Sequence, residues 1–279
     1  MIAWLTEPFM YAFILRGLLA GILASLACAA LSPFVVWRGM SFAGDAVAHS
    51  ILPGIVIAYI FGFSYIIGAL GAAIVAVIGI GLLTRRKSMR EDTAIGVIFV
   101  GLFALGILLL GRISTFQDLN HILFGNILGV NRTDLVFMLI VTFVVLLGVV
   151  LFYKELLVTS FDPAHAVAIG LSPAVIRYGL LGAVAITTVI AVQAVGIVLV
   201  LALLITPAAA ASALAKKMKH IMLLSAGFSL MATVIGFYLS YYFDVASGPA
   251  IVLVLTAIFI LSWVISRLTE RTGRHYSEG

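Results

Sequence analysis

Charge is what this chain lacks most. Only 10% of its 279 residues are Asp, Glu, Lys or Arg, against 64% hydrophobic residues, where a soluble domain is roughly half apolar and about one quarter charged. Such a chain cannot cover itself with polar groups, and with a mean hydropathy of +1.27 its solvent must be lipid. Cysteine is nearly absent: Cys28 is the single one, which excludes an intramolecular disulfide or a thiolate metal cluster and leaves a small buried apolar residue. Acidic residues number 11 against 16 Lys and Arg, but the basic ones are spread over several loops. That distribution fits a positive-inside signal better than a nucleic-acid surface. The stretch Met1 to Met10 has no basic n-region and no small-residue cleavage site, so the first span is expected to be retained. No G-x-S-x-G, H-E-x-x-H or Walker G-x-x-x-x-G-K-[ST] occurs, so neither hydrolase chemistry nor intrinsic ATP binding is supported.

What the chain does have is long uncharged runs, at 17–37, 46–83, 93–111, 135–153, 178–215, 221–243 and 245–266. About 18 residues or more suffice to cross the hydrocarbon core as a helix, and continuous runs without two-residue alternation exclude a membrane β-barrel. Two runs are too long for one helix. The first is expected to turn at Phe61-Gly62-Phe63-Ser64 and the second at Gln193-Ala194-Val195-Gly196. The expectation is an all-α polytopic protein of nine transmembrane helices, or eight if one is re-entrant. Clusters at Arg85, Arg86, Lys87 and Arg90, at Lys216, Lys217 and Lys219, and at Arg267, Arg271 and Arg274 are expected to face the cytoplasm. This places the C-terminus inside and the N-terminus outside. Gly68, Gly71, Gly79 and Gly81 are expected to let helix backbones approach closely.

Ionisable groups within spans are costly and therefore informative. Asp45 and His49, in Gly44-Asp45-Ala46-Val47-Ala48-His49-Ser50, stand four residues apart. On a helix they share one face and can hold a divalent cation between them. Oxygen plus nitrogen donors without thiolate suit Mn(II), Fe(II) or Zn(II). His121, with Asp118 beside it, falls in a stretch that reads as an external interfacial helix and offers a contact to an incoming ion or partner. Arg90, Glu91 and Asp92 are expected to cap the following span. In Ser160-Phe161-Asp162-Pro163-Ala164-His165-Ala166-Val167-Ala168-Ile169-Gly170, Asp162 can cap a short helix with Pro163 in its first position, and Gly170 can close it. A compact capped helix between two spans suits a docking element. Thr206-Pro207 interrupts a span and offers a hinge, since proline frees a backbone carbonyl.

The stretch from Trp37 to Gly54 resembles the signature of the permease family of manganese/zinc/iron ABC importers. So do Asp92-Thr93-Ala94-Ile95-Gly96, His121 to Val130, Phe161 to Gly170, and Val195 to Val200 running into Leu204 to Ala209. The blocks keep the family's order across nearly the whole chain. The resemblance implies one transmembrane permease domain over 1–279 with a fold like that of the vitamin B12 importer permease, and a coupling helix at 162–170. It also implies a homodimer around the pathway, two ABC ATPase subunits that bind the ATP, and an extracytoplasmic metal-binding protein. The setting would be a bacterial-type cytoplasmic membrane, and the chain a transport subunit rather than an enzyme, with no permanently bound cofactor. Asp45 and His49 fall on the family's acidic and histidine positions. One departure is Ala48, where family members often carry Ser before that histidine. The block Asn120 to Leu128 looks most like manganese members. An ion-coupled secondary carrier is the competing reading, though no internal repeat with matching intramembrane charges is visible; an intramembrane metalloenzyme would lack a third ligand and a general base.

Overall fold

The computed structural model describes residues 11–85, 89–111 and 127–275. His121 and Asp118 lie outside them. The described elements are α1 (Ala12–Trp37), α2 (Ala43–Ser50), α3 (Leu52–Phe61), α4 (Tyr65–Arg85), α5 (Glu91–Leu110), α6 (Arg132–Leu151), α7 (Tyr153–Phe161), α8 (Pro163–Ala168), α9 (Pro173–Val195), α10 (Ile197–Leu214), α11 (Met218–Phe243) and α12 (Ser247–His275), with a 3₁₀ turn at Ile127–Gly129. Taking α2 and α3 as one crossing, nine helices among the described residues are long and apolar enough to span a bilayer. No strand occurs among them. The chain is thus all-α, and both long runs divide where expected. Gly62 ends α3 with φ 70 and ψ 27, the left-handed cap that glycine takes without a Cβ penalty. Gly196 separates α9 from α10 at φ 86 and ψ 161, a region open essentially to glycine alone.

Helix α1 runs through the middle and packs against α6, α10 and α11. The apolar effect between helices is weak in lipid, so close backbones and hydrogen bonds hold the bundle. Ser25 on α1 and Thr233 on α11 share a hydrogen bond of 2.5 Å, both fully buried. Thr142 of α6 donates to the Leu23 carbonyl at 3.2 Å. Pro33 lies inside α1 and Pro207 inside α10, and between them the Ala208 amide donates to the Ser32 hydroxyl at 3.3 Å. A Thr233→Val substitution keeps the shape and removes one partner. It should cost about 1 kcal/mol, the scale of an interhelical hydrogen bond in a membrane, read as a lower unfolding midpoint in detergent. No change in midpoint would mean that the pair contributes nothing.

Of the four glycines expected to pack, three do. A Cβ on Gly68 would strike the backbone of Gly54, one on Gly79 would meet Ile98, and Gly81 backs onto the Tyr178 ring. Gly71 has nothing within 4 Å of a built Cβ and is exposed.

Candidate functional site

Asp45 and His49 sit on α2, which is wedged among α5, α9 and α10. The wedge is tight because Gly44 carries no side chain where Leu204 of α10 presses in. Asp45 lies in the first turn of α2 and His49 in its last, four residues apart and so on one face. His49 Nδ1 lies 3.3 Å from Asp45 Oδ1 and 3.0 Å from the Asp45 carbonyl oxygen. A carbonyl oxygen only accepts, so Nδ1 carries the proton in that contact. Each side chain is 28% exposed although its helix neighbours Val47, Ala48 and Ser50 are buried. The imidazole stands edge-on to Phe99 and Phe103 of α5, with centroids at 5.5 and 5.3 Å, so one side of the pair is walled by aromatic rings.

One chain offers a cation two donors there. Among the described residues no group of three or more His, Cys, Asp or Glu comes together, while Mn(II), Zn(II) or Fe(II) takes four to six. Continuation of α2 into α3 passes Ile51 and Pro53, and Pro53 has no N–H to give the His49 carbonyl.

The second sequence-marked segment folds as a six-residue helix, α8, between its cap Asp162 and Gly170, which turns the chain at φ 84. Asp162 accepts a hydrogen bond from the His165 amide at 2.8 Å, Pro163 opens the first turn, and beyond the last turn the Leu171 amide donates to the Ala166 carbonyl at 2.9 Å. Only Ala166 is buried; Pro163, Ala164, His165, Val167 and Gly170 are exposed. On α10, Pro207 is buried and Thr206 half-buried, three and two residues past the Leu204 that supports Gly44.

Residues 10–266 match the ABC 3 transport family. The chain belongs to that family. A manganese transport system membrane protein of Listeria monocytogenes is 41% identical over 256 residues, covering 92% of this chain and 91% of the relative. A probable iron transport system membrane protein of Haemophilus influenzae is 38% identical over 271 residues, covering 97% and 100%. Among solved structures, PsaBC of Streptococcus pneumoniae in complex with Fab superposes with a TM-score of 0.82 at 38% identity, over 94% of this chain and 95% of the other. A second, described as an inward-facing transporter of the metal-chelate ABC type, gives 0.68 at 18% identity over 89% and 85%, which speaks for the fold alone. The ABC 3 chain is accordingly a multi-pass permease subunit of an ABC importer in the cell membrane. ATP hydrolysis belongs to a separate subunit.

Several contacts of this ABC 3 permease were not legible beforehand. Phe99 and Phe103 repeat the four-residue spacing of Asp45 and His49, a signal present in the sequence but indistinguishable from ordinary apolar packing. Glu91 does more than favour the start of α5. Arg90 occupies the N-cap without a side-chain hydrogen bond, and Glu91 pairs with Arg177 of α9 at 3.4 Å. Arg38, in the turn after α1, donates from Nε to the Ser160 hydroxyl at 2.9 Å and from Nη2 to the Thr159 hydroxyl. Burial pushes its guanidinium below the usual value, Glu91 opposes that shift and Arg177 adds to it; an arginine so placed remains a cation.

Proposed function

We propose that the chain moves a divalent transition metal ion, Mn(II) first and Zn(II) or Fe(II) next, as one of two identical permease subunits. The carrying observation is the partly exposed Asp45–His49 pair, an oxygen and a nitrogen donor side by side with no third His, Cys, Asp or Glu grouped with them among the described residues. A second copy related by a two-fold axis would bring the same pair to the same ion, giving two carboxylates and two imidazoles. That set is strong enough to strip water and, without thiolates, weak enough to let go. The names carried by the relatives, manganese and iron transport proteins, support this substrate class.

In this reading α8 is the element on which two ABC ATPase subunits dock, and an extracytoplasmic metal-binding protein delivers the ion to the opposite end. The basic turns face the cytoplasm with the C-terminus, and the membrane is a bacterial-type cytoplasmic one. Thr206 and Pro207 serve as a hinge: α10 lacks a regular hydrogen bond there, and Leu204 beside them bears on Gly44 under the metal pair. Alternating exposure of the pair would then follow rigid-body motion of α10 against α2. The test is ATP hydrolysis by the reconstituted complex, with the metal-binding protein loaded in turn with Mn(II), Zn(II) or Fe(II). Stimulation is expected to be largest with Mn(II). Uptake driven by an ion gradient alone, with no ATPase subunit bound, would instead establish a secondary carrier.

A further inference from the structure

We propose that Arg38 is a positioning residue that transmits movement of α8 to the Asp45–His49 pair, by clamping the end of α7 to the turn from which α2 starts. The inference rests on the docking role proposed for α8.

Both ends of the link are stiff. On the side of α8 there is no slack, because Ser160, Phe161 and the capping Asp162 are consecutive. Ser160 donates its own proton to the Leu156 carbonyl at 2.6 Å and Thr159 to the Glu155 carbonyl at 2.7 Å. Their lone pairs are therefore left to accept, and a guanidinium with two donors in one plane donates to both hydroxyl oxygens at once. Beside the fork, the Trp37 and Phe161 rings meet at a centroid distance of 5.2 Å.

On the side of the pair, the turn after α1 is closed by its own hydrogen bonds. Met40 donates to Val35 at 2.9 Å, Ala43 to Met40 at 2.8 Å and Ala46 to Phe42 at 2.9 Å. Met40 is 1% exposed, so its side chain anchors the turn in the core. A shift of the α7 end can reach Arg38, pass through this braced turn and rotate α2, on which Asp45 is only seven positions further along. The covalent route from α8 through α9 also reaches α2, so the clamp is separable only by experiment.

The experiment uses the complete complex with its ATPase subunits in proteoliposomes and reads metal uptake and ATP hydrolysis in the same sample. Arg38→Ala is expected to lower ions carried per ATP roughly tenfold, the upper range for coupling through packed networks, with hydrolysis within about twofold of wild type. The double variant Thr159→Val/Ser160→Ala, which leaves the cation in place, should show the same uncoupling. Adding Arg38→Ala to it should cost little more, since all three act on one contact. Arg38→Lys should fall between, because one ammonium cannot fork to both hydroxyls. An unchanged ratio of ions to ATP in both Arg38→Ala and the hydroxyl variant overturns the clamp, as does a parallel fall of uptake and hydrolysis in both, which marks a merely structural role. If Arg38→Ala fails to assemble, the hydroxyl variant decides. Val167→Arg on the exposed side of α8 tests the underlying reading separately: ATPase subunits that stay bound to it refute docking at α8 whatever Arg38 does.

Discussion

Uptake of Mn(II) is expected to fall at least ~100-fold when Asp45 or His49 is replaced by alanine, while the complex with its ATPase subunits remains assembled. Loss of a group that merely orients a metal ligand costs about 10-fold to 100-fold, and these two are proposed as ligands themselves. In the proposed two-fold dimer the effect would double, because one substitution would remove two donors from the shared ion. Both side chains stand partly exposed at the surface of the single chain, so truncating either leaves no buried cavity and little reason to unfold. Asp45→Asn sharpens the test: it keeps an oxygen donor and the contact to the imidazole but removes one charge per copy. It should retain some transport where Asp45→Ala retains none, since a neutral carbonyl oxygen is a weaker donor to a dication than a carboxylate. The measurements are tracer uptake into proteoliposomes and co-elution of the ATPase on size exclusion. Full uptake in both alanine variants would remove these residues from the pathway.

The sequence announced some of this and could not announce the rest, for a physical reason. Gly62 and Gly196 were readable as break points because a polar or flexible interruption within an apolar run has little other use in lipid. The contact of Asp45 with His49 was readable because side chains four apart on a helix share one face, and the cap at Asp162 because a capping side chain acts within three residues. By contrast, Arg38 with Ser160 and Glu91 with Arg177 join residues 122 and 86 positions apart. No local pattern carries such pairings. The aromatic wall of Phe99 and Phe103 was hidden for another reason: a helix in lipid is apolar all round, so periodicity that would mark a buried face in water is nearly silent here. The same silence explains Gly71, which shares the glycine-rich run of Gly68 yet meets no neighbour. The expected contact at His121 and Asp118 lies outside the described residues.

A second large effect is expected where α3 crosses α4. A Cβ on Gly54 would overlap the Gly68 carbonyl oxygen, and would lie 2.7 Å from the Gly68 carbonyl carbon and 2.8 Å from Ala72 Cβ; a Cβ on Gly68 would lie 2.7 Å from Ala58 Cβ and 2.9 Å from the Gly54 carbonyl carbon. Each helix thus presents a glycine and, four residues on, an alanine to the other, and backbone meets backbone. Side chains can swing aside, but a carbonyl in a helix cannot, so the only relief is for the helices to part. Alanine gains up to about 1 kcal/mol over glycine in helix propensity, against roughly 1–3 kcal/mol or more for overpacking. The clash wins. Gly54→Ala and Gly68→Ala should each destabilise the protein by about 2 kcal/mol, whereas Gly71→Ala should be neutral or slightly stabilising. The double variant should cost less than the sum of the two, because helices already forced apart have room for the second methyl. Because α3 continues α2, the parting also displaces His49, and uptake should fall further in Gly54→Ala than the loss of folded protein accounts for. Denaturation midpoints in detergent alongside uptake per folded complex measure both, and equal midpoints for Gly54→Ala and Gly71→Ala would deny the crossing.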